Sequence, residues 1–126
     1  MYYDLLARIK NAYAAEKPSL LVPFSKVDFE ISKILVKDKY LHEVQKRAIN
    51  RKNYMDIKLS YQNHQPSFKD FKIISRPGRR IYTTYHDIKP VKNGYGLAII
   101  STSKGVFNHK EARKMKVGGE YLFEIW

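Results

Sequence analysis

The chain of 126 residues is long enough for one compact domain or for two small modules, and we expect two modules. Its 24 lysine and arginine residues against 12 acidic residues give a formal net charge of +12, which favours a polyanionic partner, with nucleic acid as the first choice. The absence of cysteine excludes a disulfide-stapled scaffold and a thiolate zinc site.

The first predicted element is a helix over about residues 3–15. Its buried face is defined by four residues at helical spacing, namely Leu5, Ile9, Ala12 and Tyr13. Asp4, Arg8 and Asn11 share another stripe, in which Asp4 and Arg8 are spaced to form an ion pair. This stripe faces either solvent or RNA. The apolar segment 20–24 follows as a strand or an extended packing segment.

A second helix is predicted to begin at Ser25, where Ser25 and Asp28 resemble a capping box, and to end within residues 37–39. Its predicted core positions repeat at helical spacing, and they are Val27, Ile31, Ile34 and Leu35. A separate and mostly basic stripe that includes Lys26 faces either solvent or phosphate.

Segments 40–49 and 54–61 are interpreted as the strands of a hairpin with residues 50–53 as its turn. The second strand alternates polar residues with four apolar ones, Met55, Ile57, Leu59 and Tyr61. The N-terminal module, residues 1–66, is therefore predicted to have the order α-β-α-β-β. The polar, proline-containing segment 62–67 is the predicted boundary.

The C-terminal module, residues 67–126, is predicted to be mainly β with one short helix, so the whole chain is an α+β protein. A strand at 71–75 leads into the turn Arg76-Pro77-Gly78-Arg79, where proline presets one φ and glycine is expected to supply a positive φ. The next strand places Arg80 and Tyr82 on one face. A guanidinium beside a phenol indicates either a nucleotide-binding face or a cross-strand structural pair.

Residues 92–94 are predicted as a turn and 95–100 as a buried strand, which the hydroxyl-rich loop Ser101-Thr102-Ser103-Lys104-Gly105 follows. Asn108 with Glu111 resembles a capping box, so 109–116 is predicted as a short basic helix. Val117-Gly118-Gly119 is expected to turn the chain into a last strand. In that strand three residues should alternate toward the core, namely Tyr121, Phe123 and Ile125.

The hydroxyl-rich loop is the predicted centre of function, because hydroxyls, a cation and a glycine at a strand end can hydrogen-bond closely spaced oxygens and base edges. It does not match the Walker phosphate loop, since Lys104 precedes Gly105. The histidines have no metal-ligand spacing and are interpreted as ordinary surface or interface residues: His42, His64, His86 and His109. The sequence shows no catalytic pattern, and we expect no metal and no cofactor.

Six motifs occur along the chain in this order: Arg8-Ile9-Lys10-Asn11-Ala12, Pro23-Phe24-Ser25-Lys26, Pro77-Gly78-Arg79-Arg80-Ile81-Tyr82, residues 99–105, Glu111-Ala112-Arg113 and Gly118-Gly119-Glu120. Together they resemble the bacterial type of the small-subunit ribosomal protein S8 family over nearly the whole chain. The resemblance implies a non-enzymatic structural protein that binds the central domain of small-subunit rRNA and supports subunit assembly.

The resemblance also implies which residues contact RNA. Ser101, Thr102 and Ser103 are similar to groups that touch bases and sugars in a shallow minor groove, with Gly105 allowing close backbone approach. Tyr82 is similar to an RNA-facing tyrosine. Glu120 would accept hydrogen bonds from RNA amino groups, hold the serine loop or form a structural tie to one of two arginines. The remaining predicted site residues are Lys104, Arg79, Arg80, Gly118 and Gly119, with a secondary phosphate-facing patch of Arg8, Asn11 and Lys26.

The implied partners are small-subunit rRNA and neighbouring small-subunit ribosomal proteins. An alternative role is a translational repressor that uses the same surface on the protein's own messenger RNA. A small enzyme that acts on phosphates through the Ser-Lys loop is a third hypothesis. No apolar run approaches 18 residues and the N-terminus lacks a signal-peptide composition, so we expect no membrane partner and a cytoplasmic, ribosomal location. Before assembly we expect a monomer.

Overall fold

A computed structural model describes residues 2–63, 65–88 and 96–126. The chain divides into two compact units, one up to Lys69 and one from Asp70 onward. The first unit contains α1 (Tyr2–Ala14), β1 (Ser19–Pro23), α2 (Lys26–Lys37), β2 (Leu41–Ile49), β3 (Lys52–Leu59), β4 (Tyr61–Gln62) and β5 (Gln65–Pro66). The predicted order α-β-α-β-β is confirmed from α1 to β3, and the two-residue strands β4 and β5 are additional to the prediction.

The second unit contains β6 (Phe71–Ile73), β7 (Tyr82–Thr83), a 3-10 turn (Tyr85–Asp87), β8 (Leu97–Thr102), β9 (Gly105–Asn108), α3 (His109–Lys114) and β10 (Gly119–Ile125). It is mainly β with one short helix, so the predicted α+β class is confirmed. The predicted turn at 92–94 and the first residue of the predicted strand, Tyr95, lie outside the described residues. None of the described helices is long and apolar enough to cross a membrane.

The first unit is built on an antiparallel sheet with the strand order β1-β3-β2. All four residues predicted for the buried face of α1 are buried, because they recur at the helical period. Asp4 and Arg8 form the predicted ion pair, with 3.1 Å between Asp4 Oδ2 and Arg8 Nε. The sheet contributes one buried face to this core, and its members are Val22, Leu41, Met55, Ile57 and Leu59.

The buried face of α2 differs from the prediction. Val27 is 46% exposed, whereas Asp28 is only 8% exposed and Ser32 is fully buried. Asp28 and Ser32 share a stripe with Ile31 and Leu35, so helix geometry carries two polar residues into the core side. The Ser32 hydroxyl is satisfied because it donates to the Asp28 carbonyl oxygen at 2.8 Å.

The beginning of α2 also departs from the predicted capping box. Ser25 is the residue before the helix and has an extended backbone, but its side chain makes no capping hydrogen bond. Its carbonyl oxygen accepts the Phe29 amide at 2.8 Å, which is the first hydrogen bond of the helix. The helix therefore begins where the sequence places it, without the side-chain cap.

Asp28→Asn is expected to raise the free energy of unfolding at pH 7. Burial raises the pKa of the Asp28 carboxyl above its ordinary value, because the charged form loses hydration. The folded chain therefore holds this proton to a higher pH than the unfolded chain, and ionisation of Asp28 costs stability as the pH rises through the folded pKa. Urea titrations should show the gain at pH 7 and its disappearance below the unfolded pKa of about 4.

Glu30→Gln is the matched control for this variant, since it removes the same charge from the same helix. Its effect on the urea midpoint should be small and should not follow the pH dependence expected for Asp28→Asn. Equal gains for both variants would contradict the prediction, because net charge alone would then account for the effect.

The hairpin between β2 and β3 is tighter than predicted. Asn50 and Arg51 both have positive φ angles, 52° and 66°, and form a two-residue loop of the kind that matches the twist of paired strands. Lys52 and Asn53 belong to β3 and pair with Ile49 and Ala48, so the prediction of a four-residue turn is wrong. Polar residues such as Lys52 and Asn53 can belong to a strand at the end of a hairpin, because both faces of the strand reach solvent there.

In the second unit, β10 is the central strand of a sheet with the order β6-β10-β8-β9, and β7 pairs with β10 as well. The predicted turn between β6 and β7 is confirmed by reciprocal backbone hydrogen bonds of 3.0 Å and 2.9 Å between Arg76 and Arg79. The predicted positive φ at Gly78 is wrong. A type I turn accounts for this difference, since it needs no left-handed residue.

The alternation predicted for the last strand is interrupted by a β-bulge. Tyr121 pairs with Ile100 and Phe123 with Ile99, which leaves Leu122 as the extra residue. Leu122 is buried together with Phe123 and Ile125, while Tyr121 is only partly buried. Hydrophobic alternation cannot show such an insertion, because the ladder of the neighbouring strand determines it.

The helix α3 begins at the predicted cap. The Asn108 side chain accepts the Glu111 amide at 2.7 Å. His109 is buried, and its Nδ1 accepts the Ala98 amide at 3.1 Å, so its interpretation as an ordinary surface or interface residue is wrong. His64 lies outside the described residues.

Candidate nucleic-acid interface

The register of β10 brings together residues that are far apart in the sequence. Glu120 on β10 is the direct partner of Tyr82 on β7 and of Ser101 on β8. Direct cross-strand partners point to the same face of a sheet. Tyr82, Glu120 and Ser101 therefore form one row, which we call the cross-strand row. Val106 on β9 extends it beyond Ser101.

Two glycines allow the strands of this row to lie where they do. A Cβ atom on Gly119 would overlap the Ser101 carbonyl oxygen, and one on Gly118 would overlap the Thr83 carbonyl oxygen. The two glycines therefore permit a close approach between neighbouring backbones. Gly119 is, however, the first residue of β10 rather than a turn residue.

Glu120 forms an ion pair with Arg80, with 3.2 Å between Glu120 Oε2 and Arg80 Nη1. This confirms the predicted structural tie of Glu120 to one of the two arginines. Arg79 is exposed at the end of the preceding turn. The pair places a guanidinium beside the cross-strand row and offsets the carboxylate charge that would otherwise repel phosphate.

The hydroxyl-rich segment is not a loop throughout. Ser101 and Thr102 end β8, Ser103 and Lys104 form the turn, and Gly105 begins β9 with a φ of 126°. The strand β9 was not predicted. Because the turn is so short, β8 and β9 form a hairpin whose tip carries an exposed hydroxyl and an exposed ammonium group.

The Thr102 hydroxyl closes this turn. It donates to the Gly105 carbonyl oxygen at 2.8 Å and accepts the Lys104 amide at 3.1 Å. The hydroxyls of Ser101 and Ser103 form no hydrogen bond within the described parts of the chain. Two of the three predicted hydroxyls are therefore available to a ligand, and the third organises the turn.

Tyr82 is 70% exposed, whereas the other exposed large apolar side chains of the described segments, those of Leu21, Val27 and Met115, are 43–46% exposed. Its phenol ring stands on the open face of a two-residue strand. Such a short strand needs support from elsewhere, because two residues supply few ladder hydrogen bonds.

Ser75 provides that support, and sequence reasoning did not find it. The side chain is fully buried. Its hydroxyl donates to the Tyr121 carbonyl oxygen at 2.7 Å and accepts the Ile81 amide at 3.0 Å. Tyr121 in turn donates its amide to the Ile81 carbonyl oxygen at 2.8 Å. These bonds tie the segment before Tyr82 to β10, and no sequence pattern distinguishes this serine from an exposed one.

The predicted secondary patch lies in the first unit. Arg8 and Asn11 line one wall of a groove between α1 and β1, while Lys26 is the exposed first residue of α2 and does not line that groove. The Arg8 charge is engaged by Asp4. The structure thus brings two of the three residues together.

The cross-strand row offers a ring, a carboxylate with its guanidinium, and a hydroxyl on an open sheet. In the described ranges there is no group of three or more acidic or histidine residues that could hold a metal ion. The arrangement suits recognition of base edges, sugars and phosphates. These features define a small, basic, two-unit α+β protein whose open sheet surface has the chemistry of a nucleic-acid interface.

Comparison with known proteins specifies the class further. The sequence profile described as ribosomal protein S8 matches residues 2–126. Small ribosomal subunit protein uS8 of Mycoplasmopsis pulmonis is 44% identical, covering 98% of this chain and 93% of the relative. The uS8c protein of Tupiella akineta is 42% identical and uS8 of Thermus aquaticus 40% identical, each over 98% of this chain and 95% of the relative.

The chain therefore belongs to the ribosomal protein S8 family, which confirms the resemblance found in the sequence. It is a structural, non-enzymatic protein of the small ribosomal subunit, and RNA binding and participation in translation follow from the family. The hypothesis of an enzyme that acts on phosphates is overturned by this membership.

Proposed function

We propose that this protein binds the central domain of small-subunit rRNA through the cross-strand row and thereby supports assembly of the subunit. The observation that carries the proposal is the register of β10, which places Tyr82, Glu120 and Ser101 side by side. Neighbouring strands are about 4.8 Å apart, so the row spans roughly 10 Å. A surface of this width suits a shallow RNA minor groove or an irregular internal loop.

Each residue has a proposed role that follows from its chemistry. Tyr82 stacks on an unpaired base, because its ring is exposed and rigid. Ser101 and Ser103 hydrogen-bond base edges or 2′-hydroxyls, and Glu120 accepts from an RNA amino group. Lys104, Arg79 and Arg80 meet phosphates. The remaining residues shape the backbone around these groups, and they are Thr102, Gly105, Gly118 and Gly119.

The first unit contributes a secondary contact in this proposal. Arg8, Asn11 and Lys26 would face phosphate and position the RNA without reading its sequence. Lys26 is expected to contribute most to that contact, because Arg8 already forms an ion pair with Asp4.

Binding should depend on RNA shape, and an rRNA hairpin with an asymmetric internal loop tests this. Its affinity for the protein is compared with that of the same stem made fully paired. The proposal expects clearly tighter binding to the irregular hairpin, since only unstacked bases can meet the row. Equal affinities would overturn it. A chemical footprint on complete small-subunit rRNA would then locate the contact.

Ser101→Ala is expected to weaken binding to the irregular hairpin by about 1 kcal/mol, or roughly fivefold, because a hydroxyl in the row is lost. Ser103→Ala should act in the same direction. Thr102→Val, in contrast, should lower the midpoint of thermal unfolding, since this hydroxyl holds the turn. Filter binding and calorimetry separate these effects. A Ser101→Ala variant that loses stability but keeps its affinity would contradict the assignment.

Salt should weaken binding with a log-log slope of roughly −4 to −5 if about six phosphates are engaged. The reason is that each neutralised phosphate releases condensed counterions. Binding titrations between low and physiological salt measure the slope. Lys104→Gln should reduce the magnitude of the slope by about one, because one phosphate contact is lost. Glu30→Gln in the first unit is the control, and we expect it not to reduce the slope. A slope near zero would exclude phosphate contacts as the main source of affinity.

Further proposed partners follow from the same surface. Neighbouring small-subunit ribosomal proteins and a cytoplasmic ribosome form the proposed setting, with a monomer before assembly. A messenger RNA that folds like the rRNA site would meet the same cross-strand row, which makes translational repression the alternative role. A competition binding assay tests whether one surface serves both RNAs. If it does, the protein's own messenger should displace the rRNA hairpin.

A further inference from the structure

The strand β1 has one edge that no other strand covers. It pairs with β3 on one side only, since the sheet order is β1-β3-β2. The Phe24 amide donates to the Asn53 carbonyl oxygen, and the Leu59 amide donates to the Pro18 carbonyl oxygen. In an antiparallel pair the residues that exchange hydrogen bonds alternate along the strand. The backbone amides and carbonyls of the even-numbered residues of β1 therefore form the hydrogen bonds to β3.

Odd-numbered residues consequently point their backbone groups away from β3. These residues are Ser19, Leu21 and Pro23. By this alternation Leu21 makes no ladder hydrogen bond to its partner Asp56, and no other hydrogen bond joins it to the described parts of the chain; its side chain is 45% exposed. Its amide and carbonyl are available to a partner, whereas Pro23 has only a carbonyl to offer. An uncovered edge of this kind is a template for one more strand.

A groove of about 410 Å³ runs along this edge, between β1 and α1. Its apolar lining comes from Ala12, Ala15, Leu20, Leu21 and Val22. The small side chains of Ala12 on α1 and of Ala15 just after it leave space for an apolar side chain of a ligand. Polar groups at the same groove belong to Arg8, Asn11 and Lys17.

The chemistry of the edge favours a polypeptide over RNA. An exposed strand edge alternates donors with acceptors, which matches another strand, whereas a phosphate only accepts hydrogen bonds and is repelled by carbonyl oxygens. The groove also lacks a strong positive charge, because Arg8 is paired with Asp4. Lys17 remains as a cation without an ion pair to any described residue.

We propose that an extended segment of a second protein adds to β1 as a fourth strand of this sheet. Its backbone exchanges hydrogen bonds with Leu21, and one apolar side chain occupies the space beside Ala12 and Ala15. An acidic side chain of the segment meets Lys17. The proposal goes beyond the RNA contact of the second unit and does not require it. If a strand occupies the groove, Arg8 and Asn11 can contact phosphate only with the parts of their side chains that face away from the groove.

Hydrogen exchange at single amides tests this proposal on the full chain. The protein is measured free, bound to naked small-subunit rRNA, and in particles reconstituted from that rRNA with the extracted small-subunit proteins. Exchange of the Leu21 amide is expected to slow at least tenfold in the reconstituted particles only. The Lys46 amide is the matched control, because by the same alternation it faces the other free edge of the sheet, at β2.

Three outcomes decide the question. Protection of Leu21 in the particles but not with naked rRNA, without the same change at Lys46, supports an added strand. Protection with naked rRNA means that RNA covers the edge, and this overturns the proposal. No protection in either sample overturns it as well.

Variants at Leu21 give a second and independent measurement. Leu21→Pro removes an amide that β3 does not use, whereas Leu21→Ala keeps it. With a photo-crosslinking group on position 19, which leaves Lys17 unchanged, particles containing Leu21→Ala should retain a protein-to-protein crosslink and those containing Leu21→Pro should lose most of it. Equal crosslinking in both variants contradicts backbone pairing. If Leu21→Pro does not fold, the exchange comparison on the unchanged protein still decides.

Discussion

Gly119→Ala is expected to weaken binding to the irregular rRNA hairpin by roughly 30- to 150-fold, or about 2–3 kcal/mol. The added Cβ atom would overlap the Ser101 carbonyl oxygen, so β8 and β10 must move apart. Inserting atoms into a packed position costs about 1–3 kcal/mol of stability. The cross-strand row depends on this register, and its groups would no longer lie side by side. Binding titrations and urea unfolding measure the two effects.

Gly78→Ala is the control for this variant. No atom lies within 4 Å of the position that its Cβ would occupy, and the backbone there is not left-handed. We expect unchanged affinity and stability that is unchanged or higher by up to about 1 kcal/mol, because the unfolded chain loses freedom. A Gly119→Ala protein that binds the hairpin normally would show that the register of β10 does not determine the interface.

Gly118→Ala provides an intermediate case. Its Cβ atom would overlap the Thr83 carbonyl oxygen, on the β7 side of the sheet. This change should displace Tyr82 and leave Ser101 near its position. The loss of affinity is therefore expected to resemble that of a Tyr82 variant more than that of Gly119→Ala.

Tyr82→Ala is expected to weaken binding to the same hairpin by about 1–3 kcal/mol, which is roughly 5- to 150-fold. This range is the contribution of one base stacked on an aromatic ring. Stability should hardly change, since the ring is 70% exposed and covers little of the core. Tyr82→Phe should retain most of the affinity, because stacking needs the ring and not the hydroxyl. Fluorescence titration with labelled RNA measures all three proteins.

Met115→Ala is the control for removal of an exposed apolar side chain from the second unit, where Met115 is 43% exposed. It follows α3, and no cross-strand partner of the row belongs to that helix. Its affinity for the hairpin should equal that of the unchanged protein. If Tyr82→Phe loses as much affinity as Tyr82→Ala, the phenol acts through a hydrogen bond and the stacking assignment is wrong.

Local features of the fold could be predicted because they depend on neighbouring residues. The buried face of α1 follows from helical spacing, and the Asp4–Arg8 ion pair follows from residues one turn apart. The cap at Asn108 follows from a side chain that reaches an amide three residues later. Polar residues 50–53 are compatible with either a four-residue or a two-residue hairpin turn. The structure has the two-residue turn at Asn50 and Arg51, so the local sequence did not determine the turn length.

Burial on α2 illustrates why hydrophobic pattern alone misjudged part of the core. Val27 is apolar and Asp28 is charged, but the buried stripe of α2 contains Asp28 and not Val27. The orientation of this helix about its axis brings its fully buried apolar residues, Ile31 and Leu35, into the core, and the neighbouring positions follow that orientation. A charged residue can thus be carried inward without any local sequence feature that indicates it.

The sequence by itself determined the α+β class, most of the helices and strands, the basic character, and the family motifs that indicate RNA binding. Only the tertiary structure decided that Tyr82, Glu120 and Ser101 lie in one row, that Thr102 closes a turn, and that Ser75 holds the strand of Tyr82. The physical reason is that periodicity and capping act over a few residues. Strand pairing and register depend instead on hydrogen bonds and steric contacts between distant segments, such as Gly119 against Ser101.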